Sequence, residues 1–171
     1  MANILIAYAS KTGTVRECVE ILKSELKGMH LTVADLDKET PSFEGIDAVI
    51  LGSSVRFGKM RPSAKAFLRA HEVQLEKIPH GLFLCCGFGH DFEEYSEKQF
   101  PNALRESAFA VLNFGGRLKL EKAGLFERFL LYRVRCSIRE SEIEDGEYTP
   151  TLPGILPENI SMMASSLRRS L

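Results

Sequence analysis

The sequence predicts an α/β fold in which one doubly wound, five-stranded parallel sheet is covered by helices on both faces. Two observations predict this fold. Five short segments are apolar at nearly every position, and segments with apolar residues at helical spacing alternate with them. Strands that are apolar on both faces need cover on both sides, which crossover helices provide. The length of 171 residues suits a single domain, 1–171, that carries one inserted segment at about 116–148.

The strands are recognised by short runs of β-branched and apolar residues between polar turns. The first, residues 3–8, reads NILIAY and ends in a small polar cluster, and the third, residues 48–53, reads AVILGS. The full set of predicted strands is 3–8, 31–35, 48–53, 81–86 and 108–114.

The helices are recognised by apolar residues at three- and four-residue spacing. In the first helix Val15, Cys18, Val19 and Leu22 form the apolar face, and we expect the helix to end near Gly28. A proline suited to a first helical turn opens the second helix at residue 62. The remaining predicted helical segments are 62–70, parts of 92–107 interrupted by a proline at 101, and 158–169.

Composition excludes several classes of protein. The formal net charge is −1, with 44% hydrophobic and 26% charged residues, so neither nucleic-acid binding nor disorder is indicated. The four cysteines show no CxxC spacing, and we predict no metal site and free, mostly core thiols. No run of about 20 apolar residues, as a membrane span needs, is present, and the start does not resemble a signal peptide, so we expect a cytoplasmic protein.

A polar turn follows the first predicted strand and precedes the first helix. It reads Ser10-Lys11-Thr12-Gly13-Thr14-Val15. Hydroxyl groups on a glycine-containing turn, at the positive end of a helix dipole, make a site for a phosphate dianion. The spacing excludes a Walker loop and a GxGxxG dinucleotide fingerprint. The alternative is a polar turn in which Thr14 is a plain helix cap.

This turn resembles the FMN-phosphate loop of the flavodoxin family, whose pattern is approximately Ser/Thr-x-Thr-Gly-x-Thr. Ser10, Thr12 and Gly13 match the pattern, and Val15 replaces the last threonine. The resemblance implies the strand order 2-1-3-4-5 and FMN as cofactor. It also implies that the phosphate group is bound by Ser10, Lys11, Thr12, Gly13, Thr14 and Val15. Either Thr14 substitutes for the missing hydroxyl or phosphate binding is weaker.

A closer resemblance, strongest over residues 4–80, is to the menaquinone-dependent protoporphyrinogen IX dehydrogenase group of this superfamily. It is carried by the segment GSSVRFGK at 52–59, the following helix and a basic segment before the last helix. It implies an oxidoreductase of heme biosynthesis in which a porphyrinogen reduces FMN and a quinone reoxidises it. The alternatives are a non-enzymatic flavodoxin that carries electrons, and a flavodoxin-like domain that has lost FMN. The oligomeric state is not indicated.

If FMN is bound, its ring must lie across the loops that follow the third and fourth predicted strands. The predicted ring-binding residues are Ser53, Ser54, Val55, Arg56, Phe57, Gly58, Gly87, Phe88, Gly89 and His90. Phe57 offers a stacking face, and small residues let the backbone approach the ring. Arg56, as a cation, and His90, which titrates near neutrality, are the two catalytic candidates. The alternatives are a core or surface aromatic at 57 and solvated side chains at 56 and 90.

The inserted segment carries opposed charge blocks. Residues 117–139 hold seven basic and two acidic residues, and five acids follow in 140–147. Residues 125–134 predict a short helix with a broad apolar arc. Such a segment suits peripheral contact with the inner face of a membrane or binding of an anionic apolar ligand. The alternatives are that this helix packs on the sheet edge or that the two blocks pair with each other.

Overall fold

The computed structural model describes residues 2–87, 91–116 and 154–171. In this part of the chain a mostly parallel sheet lies between two layers of helices. Strands and helices alternate as the sequence predicts, because each fully apolar strand is covered by an amphipathic helix on either side.

Within the described residues, six strands form the sheet. Their bounds are β1 Asn3–Ala9, β2 His30–Asp35, β3 Ala48–Arg56, β4 Lys59–Met60, β5 His80–Cys85 and β6 Ala110–Asn113. The five long strands pair in parallel in the order β2-β1-β3-β5-β6, and β4 pairs with β3 in the antiparallel direction. Numbering the long strands alone gives 2-1-3-4-5, so the predicted order is confirmed.

The described helices are α1 Thr14–Glu25, α2 Pro62–Leu75, α3 Phe92–Gln99, α4 Asn102–Ser107 and α5 Pro157–Ser170. Pro101 separates α3 from α4, which confirms the predicted interruption.

The core has two halves, one on each face of the sheet. Along β1, Ile4 and Ile6 pack with α1 and α5 on one face, whereas Leu5 and Ala7 pack with α2 on the other. All four side chains are fully buried. This alternation follows from the two-residue period of a strand and explains why β1 is apolar throughout.

The main differences from the predicted element boundaries are in β3, α2 and β6. Strand β3 runs to Arg56 rather than to residue 53, and a strand pair with β4 was not expected. The apolar pattern stops at Gly52, but backbone pairing with Lys59 and Met60 continues the strand beyond it. Helix α2 extends to Leu75 because an apolar face continues through that buried residue, and β6 is shorter than predicted.

Cys18 and Cys85 are free and buried, so the prediction that these two are core thiols is confirmed, and Cys86 is buried as well. Contact with the Cys18 thiol and burial together raise the pKa of Cys85 well above its usual range. Within the described residues no helix is long and apolar enough to cross a membrane. From residue 117 onward the predicted insertion, including 117–139, lies outside the described residues, and the single-domain assignment stays a prediction.

Candidate functional site

Three segments converge at the carboxyl edge of the sheet, where open parallel sheets bind ligands. The 10–13 turn follows β1, a hairpin extends β3, and Cys86 and Gly87 follow β5. Strand β3 lies between β1 and β5, with Ala9 opposite Ser53 and Cys85 opposite Ser54. The hairpin therefore rises between the other two segments.

The turn after β1 is shaped by its own polar groups. The Gly13 amide donates a hydrogen bond to Ser10 Oγ at 3.1 Å, and Gly13 has a φ of 90°, a left-handed conformation that glycine adopts without strain. Gly13 is the N-cap residue of α1, so Thr14 is the first helical residue and not the cap. Lys11 is exposed and Thr12 is half-buried. The turn directs the N-terminal amides of α1 toward the carboxyl edge, as anion binding requires.

Two hydroxyl groups near this edge have no hydrogen-bond partner among the described residues. They are Thr14 Oγ1 and Ser54 Oγ, and both atoms are buried. A buried hydroxyl without a partner costs free energy, commonly about 1–3 kcal/mol. Val15, by contrast, is fully buried in the core beside Cys18, so its side chain faces away from any ligand. Val15 occupies the position of the last threonine in the flavodoxin pattern, and the preceding residue, Thr14, is the one that offers a hydroxyl. The oxygen is covered in this structure, so contact with a phosphate requires the turn to open slightly.

The hairpin after β3 ends in an unusual tip. Phe57 and Gly58 have φ values of 50° and 72° between the paired residues Arg56 and Lys59, as in a type I′ turn. Phe57 is the only non-glycine residue of the described chain in the left-handed region, and it is 52% exposed. An aromatic residue in this conformation stores roughly 1–2 kcal/mol of strain. Strain of this kind concentrates at functional sites.

The base of the hairpin is closed by Ser53. Its buried hydroxyl accepts a hydrogen bond from the Arg61 amide at 2.9 Å and donates one to the Ser54 carbonyl at 3.0 Å. Ser53 thus shapes the site, whereas the neighbouring Ser54 hydroxyl stays available. Val55 is half-buried and packs on the α2 side of the sheet. Arg56 is half-buried at the end of β3.

A carboxylate that sequence reasoning missed joins the turn to α2. Asp37 accepts hydrogen bonds from Arg61 at 2.9 and 3.3 Å and from Ser63 Oγ at 2.7 Å. Burial raises the pKa of the Asp37 carboxyl. Hydrogen bonds from Arg61, Ser63 and the Ser10 backbone, with the guanidinium charge, outweigh burial and hold the pKa below its usual value. Asp37 therefore fixes the first residue of the turn to the start of α2.

The segment after β5 is held by Asn113 at the end of β6. Asn113 Oδ1 accepts hydrogen bonds from the Cys86 and Gly115 amides at 3.1 and 2.9 Å, and Asn113 Nδ2 donates one to the Cys86 carbonyl at 3.3 Å. Gly116 approaches so closely that a Cβ there would lie 2.7 Å from the Gly87 nitrogen. The structure places Gly87 at the edge, but Phe88, Gly89 and His90 lie outside the described residues.

This arrangement can be compared with known proteins. A profile of the flavodoxin domain family matches residues 5–142, which is most of the chain. The chain belongs to the flavodoxin domain family. Its strand order and the turn between β1 and α1 follow from that membership, and the predicted family is confirmed.

Among sequence relatives, this flavodoxin domain is similar to protoporphyrinogen IX dehydrogenase [quinone] of Escherichia coli strain K12. The two are 32% identical over 82 residues, which are 46% of this chain and 45% of that protein. The match thus spans under half the length of the relative. The predicted resemblance to this dehydrogenase group is confirmed over that portion.

Two solved structures resemble this flavodoxin domain over nearly all of its length. One is a short-chain flavodoxin associated with a bacterial microcompartment, with 13% identity, 99% of this chain and 98% of that chain covered, and a TM-score of 0.56. The other is oxidised flavodoxin 1 from Bacillus cereus, with 12% identity, 99% of both chains covered and a TM-score of 0.50. At these identities the likeness shows the fold.

Proposed function

We propose that this flavodoxin domain binds FMN and acts as an oxidoreductase that oxidises a porphyrinogen and reduces a quinone. The observation that carries the activity is the 32% identity to protoporphyrinogen IX dehydrogenase [quinone]. That match covers only part of each chain, so the porphyrinogen substrate and the quinone acceptor are proposed for this protein.

The residues at the carboxyl edge fit FMN. The 10–13 turn and the amides at the start of α1 would hold the phosphate group, with the hydroxyl of Thr14 as an added donor. The Ser54 hydroxyl and the hairpin tip would border the ring from one side, and the backbone at Gly87 from the other. Bound FMN would supply the hydride and electron chemistry that no side chain provides.

The chain's own groups would tune that chemistry. Arg56, at the end of β3, would place positive charge near the ring and favour its anionic reduced form. Phe57 would present an apolar face to the ring or to a planar substrate. The buried thiol of Cys85 would stay protonated, because its pKa is raised, and so take no part.

The test is reconstitution followed by turnover. The purified protein is titrated with FMN and with riboflavin, which lacks the phosphate, and is then assayed for porphyrinogen oxidation with a soluble menaquinone analogue. We expect tighter binding of FMN than of riboflavin, and porphyrin formation that depends on the quinone. Uptake of FMN without turnover would favour an electron carrier, and failure to take up FMN would overturn both flavin functions.

We further propose that the basic segment 117–139 makes peripheral contact with a membrane, where a quinone is dissolved. Its net charge of +5 supports attraction to anionic lipid headgroups. Substitution of Arg128, Arg133 and Arg135 by Glu should abolish binding to vesicles that contain anionic lipid. Equal binding of this variant and the native protein would contradict the proposal.

A further inference from the structure

The hairpin that carries Phe57 projects beyond the rest of the sheet edge. Pairing between β1 and β3 ends at Ser53, and β3 continues for three more residues to Arg56. At a strand rise of about 3.3 Å per residue, the tip stands roughly 10 Å past the end of β1. Two-stranded ribbons of this length are marginally stable without support, so something must hold the tip in place.

Gln99, the last residue of α3, contacts the turn and the second strand of this hairpin. Its Oε1 accepts a hydrogen bond from the Met60 amide at 3.2 Å, and its Nε2 donates one to the Gly58 carbonyl at 2.9 Å. The residue is only 9% exposed. Both polar atoms of the side chain are therefore committed to the main chain of the hairpin, at a separation of about 40 residues in sequence.

Tyr95, one helical turn earlier on α3, supports the tip from the same face. A Cβ at Gly58 would lie 3.2 Å from Cε1 of the Tyr95 ring, so the ring lies directly against the turn. The phenol donates a hydrogen bond to Asp91 Oδ2 at 3.3 Å. Burial and the nearby Asp91 carboxylate raise the pKa of Tyr95, so the phenol remains a donor at neutral pH. This hydrogen bond fixes the Tyr95 ring against Gly58.

Helix α3 runs from Phe92 to Gln99, so the residue that contacts the hairpin is the last one of the helix. In sequence the helix follows residues 88–90, which are predicted to border the flavin ring, with Asp91 between them. Phe57 is held in a strained, half-exposed conformation that local sequence preference does not favour.

We propose that Gln99 is a positioning residue that fixes the hairpin tip, and with it Phe57, at the ring end of the FMN site. This inference rests on the proposed function. Loss of Gln99 leaves the phosphate turn unchanged and loosens the tip. The environment of the flavin ring changes as a result, whereas recognition of the phosphate group does not.

Two variants and one control test this role. Gln99→Leu removes both hydrogen bonds, and Gln99→Glu keeps the acceptor for Met60 but removes the donor to Gly58. Gln74→Leu, at an exposed position on α2, controls for the loss of a glutamine amide. The first measurement is amide hydrogen exchange in the ligand-free protein, followed in the peptides that contain residues 56–60 and 3–9.

We expect exchange over residues 56–60 to rise about tenfold in Gln99→Leu and to rise in Gln99→Glu as well, because a carboxylate cannot donate to the Gly58 carbonyl, while β1 stays protected. The second measurement is the visible circular dichroism of bound FMN, which should change in Gln99→Leu and stay native in Gln74→Leu. The ratio of FMN to riboflavin affinity should not change, because the phosphate turn is intact.

Native exchange over residues 56–60 in Gln99→Leu would overturn the anchoring role, whether or not FMN binds. Increased exchange with an unchanged FMN spectrum would overturn the connection to the flavin. If Gln99→Leu does not fold, Gln99→Glu decides by the same two measurements. Failure of the native protein to bind FMN would overturn the proposed function itself, and the exchange measurement would then decide the anchoring role alone.

Discussion

Asp37 offers a sensitive test of how the phosphate turn is held. Its carboxylate receives two hydrogen bonds from Arg61 and one from Ser63, and the Ser10 backbone adds a further one. Hydrogen bonds to a charged group contribute about 1.5–3 kcal/mol each when buried. The Asp37 and Arg61 side chains are 23% and 30% exposed, so solvent screening reduces this contribution. We expect Asp37→Asn to lower the free energy of unfolding by about 1 kcal/mol and Asp37→Ala by about 2 kcal/mol.

The effect should depend on pH with a defined sign. The folded-state pKa of Asp37 lies below its ordinary value of 3.8. The stabilisation is therefore fully present above that ordinary pKa, and it is lost as the pH falls through the lowered one. The assay is urea unfolding of the native protein and Asp37→Asn at about pH 7 and about pH 3. The difference between the two proteins should shrink at the acid pH.

A control separates this contribution from the general effect of removing an acid. Glu39→Gln, at an exposed neighbouring position, should change the free energy of unfolding by less than about 0.5 kcal/mol at either pH. If Asp37→Asn is as stable as the native protein at neutral pH, or if its deficit is the same at both pH values, the reasoning about this carboxylate is wrong.

Three further changes test other parts of the site. Phe57→Asn should leave the free energy of unfolding within about 1 kcal/mol of the native value, because Asn tolerates the left-handed conformation, yet weaken FMN binding about tenfold. Equal FMN affinity of Phe57→Asn and the native protein in a calorimetric titration would contradict this prediction. Gly52→Ala should lower the melting temperature, because its Cβ would lie 1.9 Å from the buried Phe83 ring, whereas Gly154→Ala, in open space, should not. Similar melting temperatures for both would argue against tight packing at Gly52. Asn113→Leu should lower the free energy of unfolding, measured in urea, by about 2 kcal/mol, because two buried amides lose their acceptor. A decrease of less than about 0.5 kcal/mol would contradict this role of Asn113.

Sequence patterns were sufficient for the fold because the decisive signals are local. The apolar runs of β1 and β3 specify buried parallel strands, and the Ser10–Gly13 pattern marks the turn at their edge. The family pattern at this turn then gave the strand order. Even the replacement at Val15 is interpretable, since the neighbouring Thr14 supplies a hydroxyl that has no hydrogen-bond partner in the described part of the chain.

The residues that support the site were not predictable in the same way. Three of these residues form hydrogen bonds to groups 24 or more residues away in sequence, and none belongs to a local motif. They are Asp37, Gln99 and Asn113. The hairpin was missed because Ser53 and Ser54 break the apolar pattern of β3, while pairing with β4 and long-range contacts continue the strand. Long-range hydrogen bonds leave no periodic signal in a single sequence.

The affinity for FMN relative to riboflavin, measured in the native protein and in Thr14→Val, is the most direct test of the phosphate site. We expect the native protein to prefer FMN and Thr14→Val to lose about tenfold in FMN affinity. The variant should keep its riboflavin affinity and be at least as stable as the native protein, since it removes a buried hydroxyl that no described residue hydrogen-bonds. Equal affinity for the two flavins in the native protein, or no binding of either, would contradict the assignment of the 10–13 turn as a phosphate site.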